Sequence, residues 1–287
     1  MKVAEWKDYS VIATGDGYKL ERWGNVTLLR PDPQVIWKSS VDMDNYKGLS
    51  AKYLRSETGG GKWLFKGKMP EEWTVGYKNL KFKVKPMGFK HTGLFPEQAV
   101  NWDMMAELIK NAGREISVLN LFAYTGGATV ACAAAGAKVC HVDSAKAMVE
   151  RAGENMRLSG LKDAYVRYII DDCKKFVERE IRRGRKYDAV IMDPPSYGRG
   201  PSGETWKLET ELFPFAELCE KVLSDNPLFF LINSYTTGLQ PQVMKNILEI
   251  AVKRRRGGRT DAYEVGLKTE EDGVILPCGN SGIWIND

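Results

Sequence analysis

Strand and helix signals alternate from about residue 114 to about residue 255, and this alternation restricts the fold more than any other feature. Short apolar runs rich in β-forming residues are each followed by a longer stretch with helical character. That order is typical of βα units, which build a parallel sheet covered by helices. The sequence therefore predicts an α/β fold with five parallel strands, at residues 118–123, 138–142, 165–170, 187–192 and 228–233.

The two ends of the chain break this pattern. Residues 259–267 and 273–278 are strand-like runs joined by a turn-forming sequence, so they predict a terminal β-hairpin. Residues 1–95 show alternating apolar and polar positions separated by Gly- and Pro-containing turns, which is typical of an antiparallel sheet. We therefore expect a small β-rich, substrate-binding domain at residues 1–95 and an α/β domain at residues 96–287.

The motif Asp193-Pro194-Pro195-Ser196-Tyr197 directly follows the predicted strand 187–192. Because proline fixes φ and has no backbone N–H, two prolines in a row end the strand. Ligands of open α/β sheets bind at the carboxyl ends of the strands. We expect Asp193 and the Pro194 carbonyl to bind a flat group that donates N–H, with Tyr197 stacking on it. The alternative is a turn without chemistry and a buried Tyr197.

Three further turns at predicted strand ends carry residues suited to a nucleotide. The first contains Gly126 and Gly127, and paired glycines let a ligand approach the backbone at a helix N-terminus. Asp143 ends the second strand, where an acid can accept hydrogen bonds from both ribose hydroxyls. Asp171 and Asp172 follow the third strand, where an acid can accept from an adenine amino group. The alternative for these acids is capping of the helix that follows.

Four motifs together resemble a known family: residues 91–98 (HTGLFPEQ), 120–127 (NLFAYTGG), 193–197 (DPPSY) and 276–279 (LPCG). With them the chain resembles the class I S-adenosylmethionine-dependent methyltransferases. It is most similar to the bacterial 23S ribosomal RNA methyltransferases that modify C5 of cytosine or N7 of guanine, especially to relatives without an RNA-binding PUA domain. The resemblance implies a Rossmann-like, seven-stranded methyltransferase sheet of five parallel βα units plus the terminal hairpin, and S-adenosyl-L-methionine as cofactor.

The resemblance also implies roles for individual residues. Those on the turn after the first strand would line the methionine and ribose side of the cofactor, and Asp143 would bind the ribose. Asp172 would face adenine, while Asp193 and Pro194 would lie beside the methyl group and the target atom. The predicted cofactor-binding residues are Thr92, Gln98, Asn120, Phe122, Tyr124, Thr125, Gly126, Asp143, Ser144, Asp171, Asp172 and Asp193. The predicted catalytic residues are Asp193, Pro194, Pro195 and Tyr197.

The expected cysteine of C5-cytosine enzymes is missing. That chemistry needs a thiolate that adds to C6 of the base. Family members that perform it have a cysteine after the strand matching residues 228–233, where this chain has Asn233-Ser234-Tyr235-Thr236-Thr237. We therefore expect methylation of a nitrogen, either an exocyclic amine or, because Asn233-Ser234 is closer to the guanine-N7 branch, a ring nitrogen.

Composition excludes several other classes. The 287-residue chain has two histidines and five scattered cysteines, so a metal site, a histidine triad and a disulfide framework are not expected. No apolar stretch approaches membrane-spanning length and no signal-peptide core is present, which predicts a soluble, cytoplasmic protein without membrane contact. The sequence does not decide whether the chain forms a homodimer.

RNA, and ribosomal RNA in particular, is the predicted substrate. The net charge of +5 favours anionic partners only mildly. Lysines and aromatic residues interleave at 62–85, which suits single-stranded RNA as well as ordinary strands with apolar residues inside and lysines outside. Basic runs at 182–186 and 253–259 either bind RNA or complement helix C-termini. The alternatives are a methyltransferase of a protein or small molecule, an idle RNA-binding module, and a nicotinamide oxidoreductase, which the missing G-x-G-x-x-G disfavours.

Overall fold

The computed structural model describes residues 1–56, 60–199, 205–236 and 238–287, which divide into two compact units. The α/β unit comprises Met1–Lys2, Val100–Val265 and Gly279–Asp287, and the β unit comprises Val3–Ala99 and Gly266–Cys278. The division expected at residue 95 assigned residues 266–278 to the α/β domain. They belong to the β unit because the hairpin tip pairs there: Thr269 bridges to Val11, and the Glu270 N–H donates to the Val11 carbonyl at 2.9 Å.

The strands are β1 Lys2–Val3, β2 Tyr9–Gly15, β3 Tyr18–Trp23, β4 Val26–Pro31, β5 Leu49–Arg55, β6 Gly61–Phe65, β7 Trp73–Tyr77, β8 Leu80–Val84, β9 Ser117–Leu121, β10 Lys138–Asp143, β11 Val166–Ile170, β12 Ala189–Met192, β13 Tyr197–Arg199, β14 Thr205–Lys207, β15 Phe229–Ser234, β16 Arg259–Lys268 and β17 Ile275–Ile285. The helices are α1 Ala99–Asn111, α2 Gly127–Ala134, α3 Lys146–Leu158, α4 Cys173–Arg182, α5 Leu208–Glu220, α6 Pro241–Leu248 and α7 Arg254–Arg256. Short 3₁₀ turns lie at Gly88–Lys90 and Pro96–Gln98, and a π-helical turn, Glu249–Lys253, joins α6 to α7.

The main sheet has the strand order β1-β16-β17-β15-β12-β9-β10-β11. Strands β11, β10, β9, β12 and β15 run parallel, and β17 of the terminal hairpin runs antiparallel to β15. This arrangement confirms the predicted fold class. The two-residue β1 adds an edge strand that the sequence did not indicate.

The core of the α/β unit lies between the parallel strands and their helices. Every side chain of β12 and β15 is buried, as expected for parallel strands that are covered on both faces. Phe176 of α4 and Phe215 of α5 pack into the same cluster as Val190 and Phe230. Full burial of each such side chain stabilises the fold by about 1.5–3 kcal/mol.

The β unit is built on the sheet β2-β3-β4-β5-β6 and the separate hairpin β7-β8. Its pairs are antiparallel except β4 with β5, which is parallel because the long connection between them crosses over. The Arg30 guanidinium donates two hydrogen bonds to the buried Glu21 carboxylate, with donor–acceptor distances of 2.6 and 2.8 Å. Burial alone would raise the pKa of Glu21, but Arg30 and the other partners hold it at about 2.

Candidate cofactor and methyl-transfer site

The register of the parallel strands brings three predicted site residues to one level. Leu121, the last residue of β9, pairs with Val142 on β10 and with Met192 on β12. The residues that follow, Phe122, Asp143 and Asp193, therefore leave three adjacent strands at the same height. With strand spacings of about 4.8 Å, the backbones of Asp143 and Asp193 lie roughly 10 Å apart. Because the chain order reverses between β9 and β12, this is also the point where open α/β sheets bind ligands.

The turn after β9 has an uncommon backbone. Phe122 and Tyr124 have φ values of 53° and 50°, and Gly126 has a φ of 84°. Hydrogen bonds hold it: the Tyr124 N–H donates to the Asp143 carboxylate, and the Asn155 amide donates to the Thr125 carbonyl, at 2.8 and 2.9 Å. Non-glycine residues in this region cost about 1–3 kcal/mol each and cluster at binding sites.

The two glycines of this turn are required by helix packing. A Cβ on Gly126 would lie 2.7 Å from the Ala152 Cβ on α3, and a Cβ on Gly127 would lie 2.6 Å from the Trp102 ring on α1. The sequence suggested that they admit a ligand. The contacts show in addition that they let α2 begin directly against two neighbouring helices.

Asp143 joins two loops through its carboxylate. Oδ2 accepts the Tyr124 N–H and Oδ1 accepts the Ala145 N–H, both at 2.8 Å. Burial raises its pKa, and these two backbone hydrogen bonds lower it. Each oxygen keeps acceptor capacity, because a carboxylate has about four lone-pair sites. Asp143 is not the N-cap of α3, since Ala145 occupies that position, and Ser144 beside it is exposed.

The two acids after β11 have structural partners. Asp172 is the N-cap of α4 and accepts the Lys175 N–H at 2.9 Å, as the capping alternative predicts. Asp171 forms an ion pair with Arg179 and accepts the Asp172 N–H. Contact with adenine stays a prediction for both residues.

A buried polar chain lies beneath the β9–α2 turn. Asn120 donates to the Thr129 hydroxyl at 2.9 Å, and that hydroxyl lies 2.9 Å from Nδ1 of His141. The Asn120 amide is therefore held by this buried hydrogen bond. Its contact with the cofactor stays a prediction. Burial lowers the pKa of His141 to about 4.

His141 predicts a loss of stability on acidification. In the unfolded state His141 has an ordinary pKa near 6.5 and is protonated below that pH, whereas in the folded state it stays neutral down to about pH 4. The free energy of unfolding therefore falls as the pH drops from about 6.5 toward 4. Between pH 7 and pH 5 the loss should be about 2 kcal/mol. His141→Asn should remove that part of the pH dependence in urea unfolding followed at both pH values. Equal pH dependence in the two proteins would contradict this assignment.

The segment after β12 is held on both sides. Pro194 is buried and Asp193 is half-buried, whereas Pro195 is exposed. The Pro195 carbonyl accepts the Trp206 indole N–H at 2.7 Å, and the Ser196 hydroxyl lies 2.5 Å from that of Thr236. These contacts orient the turn at the carboxyl end of β12.

Tyr197 begins a short hairpin, β13 with β14. Its side chain is 52% exposed, so the alternative of a buried aromatic residue is wrong. An exposed aromatic ring three residues after the Asp193-Pro194 step is compatible with stacking on a flat substrate.

Trp206 is the residue that sequence reasoning missed. Its ring centroid lies 5.3 Å from that of Phe122 and 5.6 Å from that of Phe215. Trp206 thus contacts Phe122 on the β9–α2 turn and donates a hydrogen bond to the Pro195 carbonyl. It therefore connects this turn to the segment after β12. The helix α5 begins at Leu208, directly after residues 205–207, which pair with β13.

Thr92 and Gln98 belong to the β unit, and both are buried. The Thr92 hydroxyl has no hydrogen-bond partner among the described residues. The loop that carries them is fixed by hydrogen bonds from Arg30 to the Lys90 carbonyl and from the Trp6 indole to the Pro96 carbonyl. Their contribution to a cofactor site stays a prediction.

Asn233 on β15 is level with Asp193, which follows β12. Its side chain takes part in a buried hydrogen-bond network. Its Oδ1 accepts hydrogen bonds from Asn101 and Ser281, and the Tyr263 hydroxyl donates to Asn101 in turn. All four side chains are buried. The Asn233 side chain is therefore held by hydrogen bonds within the core, and methylation of a ring nitrogen stays a prediction.

Comparisons with known proteins establish the family. A family model described as S-adenosylmethionine-dependent methyltransferase matches residues 36–236. A solved SAM-dependent methyltransferase from Agrobacterium tumefaciens superposes on 100% of this chain and 94% of its own, with a TM-score of 0.93 and 32% identity. The chain therefore belongs to the S-adenosylmethionine-dependent methyltransferases. This confirms the predicted family, enzyme class and cofactor.

Two further similarities are narrower. The ribosomal RNA large subunit methyltransferase K/L of Shewanella frigidimarina is 32% identical over 148 residues, which cover 51% of this chain and 20% of that protein. This chain thus spans about a fifth of that relative's length. The solved structure of SMU.776 complexed with S-adenosylhomocysteine (SAH) shares the fold, with a TM-score of 0.73 and 18% identity over 98% of this chain and 76% of its own.

Proposed function

We propose that this protein transfers a methyl group from S-adenosylmethionine to a nitrogen of an RNA base, in ribosomal RNA. The observation that carries the proposal is the level alignment of Phe122, Asp143 and Asp193 at the ends of three adjacent strands, in a chain that belongs to this family of methyltransferases.

The residues present fit the cofactor. Asp143 is a half-buried carboxylate whose two oxygens are oriented by backbone N–H groups and keep lone pairs for the two ribose hydroxyls. The left-handed turn from Phe122 to Gly126 brings the backbone around the same point. Bound S-adenosylmethionine supplies an electrophilic methyl group on its sulfonium and leaves as a neutral thioether.

Asp193 and Pro194 would hold the acceptor nitrogen. The Asp193 carboxylate and the Pro194 carbonyl accept N–H hydrogen bonds from an amine, so that its lone pair faces the methyl group. With S-adenosylmethionine bound, the Asp193 carboxylate or water would take the proton that the acceptor nitrogen gives up when it is methylated. Such a reaction needs orientation more than covalent catalysis.

The cysteines favour nitrogen over carbon as the target. All five thiols are free, and burial raises the pKa of each one. A protonated thiol is a weak nucleophile, so these residues are poorly suited to add to C6 of cytosine.

RNA as the substrate rests on the K/L relative, which covers only part of this chain, and on the exposed Tyr197. The cytoplasm, where ribosomal RNA is available, is the proposed location. In the part of the chain that the structure describes, no helix is both long and apolar enough to cross a bilayer.

The test is methyl transfer from labelled S-adenosylmethionine to ribosomal RNA purified from a strain that lacks the gene. We expect one labelled nucleoside, identified by mass spectrometry as methylated on nitrogen, and no label on RNA from the parent strain, whose site is already modified. Label found only on protein or a small metabolite, or 5-methylcytosine as the product, would overturn the proposal.

A further inference from the structure

An open groove lies within the β unit, along part of the segment 62–85 in which lysines and aromatic residues interleave. Its volume is about 640 Å³, and its lining includes Phe65, Lys68, Glu71, Lys85 and Pro86. We call it the Phe65 groove.

Phe65 forms an apolar wall that the fold leaves uncovered. It ends β6, the edge strand of the sheet, where it lies opposite the small residue Ala51. Trp63, on the same face of the strand, is covered by the Tyr53 ring at 5.4 Å and donates to the Met87 carbonyl. Among the described residues no aromatic ring covers Phe65 in this way, and its side chain is 55% exposed. Its ring is therefore open to stacking, unlike that of Trp63.

The surrounding surface is strongly basic. Residues 61–85 contain seven lysines and two glutamates, a net charge of +5 that equals that of the whole chain. In β8, Phe82 and Val84 point inward and Lys81 is exposed, so this strand follows ordinary alternation. Glu72 pairs with Lys83 and Lys85 at 2.7 and 3.1 Å. These ion pairs are partly exposed, so Lys85 can exchange Glu72 for a phosphate at little cost.

We propose that the Phe65 groove binds a single-stranded segment of the substrate RNA. Phe65 stacks on a base, and Lys68 and Lys85 contact the neighbouring phosphates. This combination of an aromatic platform and flanking cations is how proteins bind single strands without reading their sequence. The inference rests on RNA being the substrate and adds the surface that holds it.

The test measures binding of a labelled, mixed-sequence, single-stranded RNA of about 12 nucleotides by fluorescence anisotropy, using the full chain. Phe65→Ala should weaken binding by roughly 10-fold or more, and Phe65→Trp should retain it because tryptophan also stacks. Phe65→Leu, which keeps an apolar side chain without a flat ring, should behave like alanine. Lys68→Gln should reduce the salt dependence of binding by about one phosphate contact.

Matched controls come from the same unit. Ile36→Ala removes a side chain that is 90% exposed, and Lys47→Gln removes an exposed lysine, and neither residue lines the groove. Neither control should change RNA affinity. All variants should keep the melting temperature and the S-adenosylmethionine affinity of the parent.

The outcomes separate this inference from the proposed function. If the parent protein binds RNA and the Phe65 variants bind it equally well, the groove is not the RNA site, while the proposed function stands. If leucine substitutes for phenylalanine without loss, stacking is wrong. If the parent binds S-adenosylmethionine but neither binds nor methylates RNA, the proposed function fails together with this inference.

Discussion

Replacing Asp193 by alanine should lower the rate of methyl transfer at saturating substrate by roughly 100-fold or more, because a small misplacement of the reacting atoms costs about that factor. Asp193 leaves β12 at the level of Phe122 and Asp143, and the proposed function has its carboxylate hold the acceptor nitrogen. On that proposal, loss of the carboxylate removes the hydrogen bond that orients the nitrogen. The rate is measured as methyl incorporation into the unmodified RNA.

The affinity for S-adenosylmethionine should change far less than the rate, because Asp143 and the β9–α2 turn stay intact. Asp225→Ala is a matched control, since Asp225 is exposed and lies in the loop that leads into the opposite, amino-terminal end of β15. This control should keep full activity. A variant at Asp193 that retains normal turnover would contradict the assignment.

Replacing Asp143 by alanine should weaken cofactor binding by about 1–3 kcal/mol, or roughly 5- to 150-fold in Kd, as expected when hydrogen bonds to a charged group are lost. Two effects contribute: in the proposed complex the ribose hydroxyls lose their acceptor, and within the protein the Tyr124 and Ala145 N–H groups lose theirs. Calorimetric titration with S-adenosylmethionine measures the change.

Asp143→Asn separates these two effects. Its single carbonyl oxygen can keep one backbone hydrogen bond but accepts fewer bonds from the ribose, so its affinity should fall between those of the parent and the alanine variant. Asp163→Ala, at an exposed acid in the loop before β11, serves as control. If Asp143→Ala binds the cofactor as tightly as the parent, Asp143 only holds the loops together.

The sequence was most informative where local chemistry determines structure. Two prolines after an apolar run located the carboxyl end of β12, and the order of strands and helices predicted the parallel sheet with its terminal hairpin. Capping chemistry likewise anticipated the role of Asp172. These features depend on residues close to one another in the chain.

Features that depend on distant contacts were not predictable in this way. The requirement for glycine at position 126 comes from Ala152 on another helix, and the role of Trp206 comes from its contacts with Pro195 and Phe122. The pairing of residues 269–270 with Val11 is similarly remote.

The basic runs show the same limitation. Arg255 and Arg256 pair with Glu217 and Glu220 on α5, and Arg183 pairs with Glu180. Sequence alone could not distinguish these structural ion pairs from an RNA surface, because the partners lie up to 38 residues away.

A crystal structure of this chain with S-adenosylhomocysteine would test most directly whether the residues that follow β9, β10 and β12 form one cofactor pocket. We expect the ribose hydroxyls on the Asp143 carboxylate and the sulfur on the side of Asp193, with the β9–α2 turn unchanged. A ligand that occupies a different edge of the sheet, or that leaves Asp143 without a contact, would contradict the account.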